Sequence, residues 1–153
     1  MILGIPKEIL DNETRVAAIP ATVKQFVAAG FMVKVESGAG VKSEISDAQY
    51  KDVGAEIVAM ASDVYSGSDM ILKVNSPTAE EIPMIKDGSS YISFFQTMKE
   101  TDKVRALQNK NVTGYSMHLI PRTTLAQKMD ALSSQTNIAG YKSVLIGACH
   151  IEK

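Results

Sequence analysis

The chain has 153 residues, 45% of them hydrophobic and 22% charged, with a formal net charge of −1 at neutral pH. These values are typical of one soluble globular domain, and they exclude the clustered basic surplus of nucleic-acid-binding proteins. No apolar run approaches the roughly 18 residues of a membrane-spanning helix, and the short N-terminus is not typical of a signal peptide. We therefore expect a soluble, intracellular, single-domain protein.

The residue types that build disulfides and metal sites are scarce in this sequence. Cys149 is the only cysteine, which excludes an internal disulfide and is compatible with a reducing compartment. The two histidines, His118 and His150, do not have the spacing of metal ligands. The sequence therefore predicts no metal site.

Short apolar segments alternate with helical patterns along most of the chain. Apolar or alternating segments predict six strands, at residues 2–5, 31–35, 56–58, 70–74, 90–95 and 112–116. The intervening segments have helix-start signals, at Pro20, Ser46 or Asp47, Ser62 or Asp63, Thr78 with Glu81, and Thr101. Such alternation predicts an α/β fold in three layers, a parallel sheet with helices on both faces.

Glycine-rich segments do not complete a dinucleotide-binding fingerprint. After the second strand, Gly38 and Gly40 are followed by Ser43, which gives G-x-G-x-x-S. The third glycine of the fingerprint, needed for close helix packing, is absent. We interpret this segment as a turn.

Residues 120–141 combine polar side chains with the start of a helix. Ile138, Tyr141 and Leu145 have the i, i+3, i+7 spacing of a buried helix face. Either Asp130 or Ser133 could cap this helix. A polar loop before a helix N-terminus suits an anionic or hydroxyl-rich ligand, because unpaired N–H groups point outward there. A capped helix preceded by solvated polar residues is the alternative interpretation.

Polar residues also follow several strands at the edge where parallel sheets bind ligands. Arg15 follows the first strand, and Lys73 lies near the end of the fourth. Gln96 follows the fifth strand, and Arg122 follows the sixth. We expect all four residues to lie at the ligand-binding edge, although a charge on an edge strand that discourages aggregation is an alternative role for Lys73.

Three ordered motifs resemble a known family. They are G-I-P-K-E with N-E-T-R-V-A at 4–17, L-K-V-N-x-P at 72–77, and R-x4-Q-x2-D-x-L-S-S with N-x-A-G-Y at 122–141. Essentially the whole chain resembles the NAD-binding alpha subunit (domain I) of proton-translocating NAD(P) transhydrogenase. The motifs are shared more broadly with alanine dehydrogenase.

The resemblance implies a Rossmann- or flavodoxin-like N-terminal domain over residues 1–130. Residues 131–153 would form a helix leading to a Rossmann NAD-binding domain that this chain does not contain. The activity implied is NAD(P)+ transhydrogenase of the Si-specific/Re-face, proton-translocating type, in which hydride passes from NADH to NADP+. As an N-terminal piece of the longer subunit, the chain is expected to be inactive alone.

The resemblance also implies partners and a location. NAD(H) would bind to this component, and NADP(H) to a separate component that acts with a membrane-spanning one. The chain would lie at the cytoplasmic or matrix face, peripheral to the membrane through its partner subunit and without direct membrane insertion. A symmetric homodimer would cover helix residues that remain exposed without the following domain.

Four residues match the family's loop beside the nicotinamide and its ribose. Gln127 and Asp130 are the expected catalytic residues, and Arg122, Gln127, Asp130 and Ser133 the expected cofactor-binding residues. Gln127 can donate to and accept from ribose hydroxyls, while Asp130 and Ser133 suit the carboxamide. Arg122 would organise the loop or contact the pyrophosphate.

Alanine dehydrogenase is the alternative within the same family. Its matching arginine and lysine hold the substrate carboxylate, which gives Arg15 and Lys73 as a substrate pocket by analogy. That enzyme also has an acid/base histidine after the fifth strand, where this chain has Gln96, which cannot transfer a proton at neutral pH. His118 follows a different strand and is expected to be structural or on the surface. A non-catalytic interaction domain is the third interpretation.

Overall fold

The strands of the protein form a single parallel sheet in the computed structural model, which describes residues 1–151. The strands are β1 Ile2–Ile5, β2 Met32–Glu36, β3 Glu56–Val58, β4 Met70–Asn75, β5 Ser90–Phe94 and β6 Thr113–Ser116. Their order is β3-β2-β1-β4-β5-β6, with every pairing parallel. This is the strand order of the Rossmann fold. Strands β2 and β3 are added on one side of β1, and the order then reverses, so that β4, β5 and β6 are added on the other side.

The helices are α1 Pro20–Ala28, α2 Asp47–Asp52, α3 Ala61–Ser66, α4 Thr101–Asn109 and α5 Ala131–His150. Short 3-10 turns occur at Val41–Ser43, Ile82–Met84, Met117–Leu119 and Gln127–Met129. The predicted alternation of strands and helices is confirmed, and the predicted strand bounds agree with the structure to within about one residue. No helix within residues 1–151 is long and apolar enough to cross a membrane.

Two hydrophobic clusters cover the two faces of the sheet. One contains Leu3 and Ile5 of β1 together with Val23 of α1. The other contains Ile71 of β4 and Tyr65 of α3. Gly4, between Leu3 and Ile5, faces the second cluster, because a Cβ atom there would lie 2.8 Å from the Ile71 side chain. Alternation along β1 thus separates the two faces, as the three-layer prediction requires.

Local sequence signals explain several helix starts. Ser46 caps α2 in a capping box with Gln49, so the first of the two predicted cap residues is the one used. Thr78 and Glu81 form the predicted reciprocal hydrogen bonds. Only the 3-10 turn Ile82–Met84 follows them, since Pro83 limits the helix.

The apolar face predicted for α5 is exposed in the described chain. Ile138, Tyr141 and Leu145 are 65%, 73% and 50% exposed. Other apolar residues on α5, including Val144 and Ile146, are also exposed. Apolar side chains are therefore distributed round this helix, and the i, i+3, i+7 spacing did not specify one packed stripe.

The described residues divide into two compact units. The first is Met1–Ser116, which contains the sheet, and the second begins at Met117. This division precedes the predicted boundary after residue 130, which stays a prediction.

Candidate functional site

A small polar cavity lies in the second unit. It has a volume of about 270 Å³. The residues that line it come from the loop before α5 and from its first turn, and they are Arg122, Thr123, Thr124, Gln127, Asp130 and Ser133. All four residues predicted to bind a cofactor line this cavity.

Asp130 connects the cavity to the start of α5. Its side chain accepts hydrogen bonds from the Ser133 N–H at 3.1 Å and from the Ser133 hydroxyl at 2.6 Å. Asp130 is therefore the helix cap, which decides between the two predicted cap residues. These hydrogen bonds from Ser133 lower the pKa of Asp130, and the charge of Arg122 adds to the effect. Asp130 is thus an anionic hydrogen-bond acceptor at neutral pH.

The remaining lining residues provide complementary groups. Arg122 and Gln127 are both exposed, and Gln127 begins the 3-10 turn that ends immediately before Asp130. An amide, a guanidinium, hydroxyls and one carboxylate together can bind a ligand that has hydroxyls and a carboxamide. The cavity volume is slightly below the 300–1,000 Å³ of typical ligand pockets.

Lys73 has a different environment from the predicted one. Its side chain is completely buried, with Nζ 2.5 Å from Glu81 Oε1 and 3.9 Å from Glu8 Oε2. The Tyr65 hydroxyl donates to the same Glu81 oxygen at 2.9 Å. The suggested edge-strand role is wrong, because β4 pairs on one side with β1 and on the other with β5.

Arg15 has a carboxylate partner of its own. Its guanidinium forms an ion pair with Glu13 at 2.7 Å, and the Glu13 carboxylate also accepts from the Asn75 amide at 2.9 Å. That amide donates to Glu8 at 3.0 Å as well. Arg15 and Lys73 thus each have a carboxylate partner within the chain, and their role in holding a substrate carboxylate stays a prediction.

Four residues of this hydrogen-bond network were not predicted to contribute to a site. Glu8, Glu13, Tyr65 and Asn75 belong to separate segments of the chain, and only the fold brings them together. Glu8, Glu13 and Asn75 lie within the motifs at 4–17 and 72–77. Glu8 had a further signal, since a carboxylate shortly after the end of a buried strand lies at the ligand-binding edge. Tyr65 had no such signal.

Gln96 and His118 are both exposed. The backbone N–H of Gln96 donates to Glu100 at 2.8 Å, and Glu100 also accepts from Ser76 and Lys103. Glu100 therefore ties the segment after β5 to the segment after β4. Within residues 1–151 there is no cluster of three or more side chains that could hold a metal ion.

The similarity to known proteins extends over the segments that contain the three motifs. The family described as alanine dehydrogenase/PNT, N-terminal domain, matches residues 4–139. The chain belongs to this family. It is 41% identical over 148 residues to NAD(P) transhydrogenase subunit alpha of Haemophilus influenzae, covering 97% of this chain and 28% of that protein. It is 37% identical over 153 residues to an alanine dehydrogenase of Methanococcus maripaludis, covering 100% of this chain and 40% of that protein.

An NAD(P) transhydrogenase alpha-subunit protein of Rhodospirillum rubrum is also similar. It is 42% identical over 153 residues, which cover 97% of this chain and 40% of that protein. The chain thus spans less than half the length of all three relatives.

Solved structures of the alanine dehydrogenase/PNT family share the fold. A transhydrogenase from Sinorhizobium meliloti matches with a TM-score of 0.94 at 38% identity, over 100% of this chain and 46% of that one. An L-alanine dehydrogenase matches with a TM-score of 0.74 at 28% identity, over 76% of this chain and 32% of that one. The predicted N-terminal-domain fold is therefore confirmed.

Replacing Glu13 with glutamine should make the stability of this family member depend less on pH between about 4.5 and 2. Hydrogen bonds from Arg15 lower the pKa of Glu13 from 4.5 to about 2. A carboxyl with a lowered folded-state pKa stabilises the fold above pH 4.5, and this contribution is lost as the pH falls to about 2. In urea titrations, the native chain should lose more stability across this window than Glu13→Gln. An identical pH dependence would contradict the ion pair.

Proposed function

We propose that this chain is the N-terminal segment of the NAD(H)-binding component of an NAD(P) transhydrogenase. The observation that carries the proposal is the cavity that gathers Arg122, Gln127, Asp130 and Ser133. The similarity to transhydrogenase alpha subunits along nearly the whole chain supports it. The proposed reaction is of the Si-specific/Re-face type and is coupled to proton translocation by a separate membrane component.

Bound NAD(H) would supply the hydride, and the residues of this chain would orient its nicotinamide end. Gln127 can both donate to and accept from ribose hydroxyls, because its amide carries both functions. The Asp130 carboxylate can accept from a carboxamide N–H, while the Ser133 hydroxyl adds a donor or acceptor. Arg122 would organise the loop or contact the pyrophosphate. No residue of this set has to remove a substrate proton, so the contribution is alignment and exclusion of water.

We infer a split site, in which a further domain contacts the remainder of NAD(H). The residues that line the cavity offer groups suited to the nicotinamide end, and the glycine segments of this chain do not complete a dinucleotide-binding fingerprint. We propose that this domain is the Rossmann NAD-binding half and that NADP(H) is bound by a separate component. We also propose a homodimer located peripherally at the cytoplasmic or matrix face through its partner subunit.

An alanine dehydrogenase is the second candidate, on the strength of the shared family. It would use Arg15 and Lys73 as the substrate pocket and a histidine where this chain has Gln96. The exposed Gln96 side chain cannot replace an imidazole in proton transfer. This difference favours the transhydrogenase.

A chimera tests the proposal. Residues 1–153 would replace the matching N-terminal segment of the Rhodospirillum rubrum relative, and hydride transfer from NADH to NADP+ would be measured with the NADP(H)-binding component present. The chimera should transfer hydride, whereas the 153-residue chain alone should show no turnover. Turnover by the chain alone would contradict the split site, and an inactive but folded chimera would contradict the proposed function.

A further inference from the structure

Four residues that line the polar cavity recur at every third position of the chain. They are Thr124, Gln127, Asp130 and Ser133. The backbone of this loop makes turns closed by i→i+3 hydrogen bonds. The Ala126 N–H donates to the Thr123 carbonyl at 3.0 Å, and the Asp130 N–H donates to the Gln127 carbonyl at 3.3 Å. Because side chains three positions apart eclipse one another in such turns, Thr124 lies on the same side of the loop as Gln127 and Asp130.

Thr124 differs from Ser133 in the hydrogen bonding of its hydroxyl. The Ser133 hydroxyl donates to Asp130 at 2.6 Å, so its proton is not available to a ligand. The Thr124 side chain is exposed, and its hydroxyl has no hydrogen-bond partner within residues 1–151. An unpartnered hydroxyl can both donate and accept. Thr124 therefore offers the cavity a hydroxyl donor that Asp130 and Ser133 do not supply.

Thr123 also lines the cavity, but its backbone holds the loop together. Its N–H donates to the Pro121 carbonyl at 2.9 Å, and its own carbonyl accepts from the Ala126 N–H. Ala126, three positions after Thr123, is buried. Thr123 is therefore in register with a packed residue, whereas Thr124 is in register with the residues proposed to bind the cofactor.

We propose that Thr124 is a further cofactor-binding residue, whose hydroxyl binds the nicotinamide ribose together with the Gln127 amide. The inference rests on the proposed function, because it takes the nicotinamide end of NAD(H) as the ligand of this cavity. A ribose carries two neighbouring hydroxyls that each donate and accept, so an amide and a hydroxyl on one side of a loop are complementary to it. Residues three positions apart in a 3-10 turn are about 6 Å apart along its axis, so both groups can reach one sugar.

NADH binding by the chimera, measured by calorimetry, tests the inference. Thr124→Val keeps the shape of the side chain but removes the hydroxyl, and it should weaken NADH binding about three- to tenfold. Thr124→Ser keeps the hydroxyl and should bind NADH within about twofold of the parent chimera. Thr113→Val is the matched control, because Thr113 is exposed on β6 and does not line the cavity, and it should leave NADH binding unchanged.

An analogue of NADH that lacks both hydroxyls of the nicotinamide ribose separates ribose binding from a structural role of Thr124. The parent chimera and Thr124→Val should bind this analogue equally, because the contact removed by the substitution is already absent. If Thr124→Val weakens binding of the analogue as much as binding of NADH, the inference is wrong. Equal NADH affinity of the parent and Thr124→Val would overturn the inference and leave the proposed function intact. A folded parent chimera that binds no NADH would overturn the proposed function and this inference with it.

Discussion

Replacing Lys73 with methionine should lower the free energy of unfolding by about 3–5 kcal/mol. The Lys73 side chain is fully buried, and its ammonium lies within ion-pair distance of both Glu81 and Glu8. Methionine preserves most of the volume but leaves these two buried carboxylates uncompensated, and removing one partner of a buried pair is strongly destabilising. Urea unfolding monitored by circular dichroism measures the loss.

An exposed ion pair provides the matched control for Lys73. Lys86 contacts Asp69 at 2.8 Å, but the two side chains are 48% and 39% exposed. Lys86→Met should therefore cost no more than about 1 kcal/mol. Adding Glu81→Gln to Lys73→Met should recover some of the loss, because one unpaired carboxylate is then removed. Equal costs for Lys73→Met and Lys86→Met would contradict the buried network.

Replacing Gln127 with alanine should slow hydride transfer by the chimera about 10- to 100-fold. Gln127 lines the cavity, and its amide is the group proposed to hold the ribose hydroxyls. A nicotinamide that lost this contact would be misplaced relative to its hydride acceptor, and small misplacements are costly in rate. Steady-state kinetics with NADH and NADP+ would measure the change.

Lys128→Ala is the control for Gln127, because Lys128 belongs to the same 3-10 turn but does not line the cavity. This variant should keep a rate within about twofold of the parent chimera. Thermal unfolding of both variants should match the parent, since neither side chain is buried. A normal rate of hydride transfer for Gln127→Ala would contradict the proposed role of Gln127 in binding the ribose hydroxyls.

The fold could be predicted from local patterns because each element carries its own signal. Apolar runs specified the strands, and caps such as Ser46 and Asp130 specified where helices begin. Six strands that alternate with helices leave few topologies other than a parallel sheet covered on both faces. The loop before α5 was also predictable, since its polar residues lie close together in the sequence and need no long-range contact.

The ion-pair network could not be predicted, because its members are distant in sequence. The Thr78–Glu81 spacing predicted only one function of Glu81. In the structure, one Glu81 oxygen accepts from the Thr78 N–H, while the other accepts from Lys73 and Tyr65. The local Thr78–Glu81 motif specifies the hydrogen bond with Thr78. The contacts with Lys73 and Tyr65 depend on the packing of α3 against β4. The suggested edge-strand role of Lys73 is wrong for the same reason, because the burial of a strand residue depends on neighbours outside the local segment.

Calorimetric titration with NADH tests the central claim most directly, using the 153-residue chain and the chimera side by side. The split site predicts that the chimera binds NADH, whereas the chain alone binds weakly or not at all, since the proposed domain for the remainder of the dinucleotide is then missing. Equal affinity of the two proteins would contradict the split site. Absence of binding by the folded chimera would contradict the assignment to an NAD(H)-binding component.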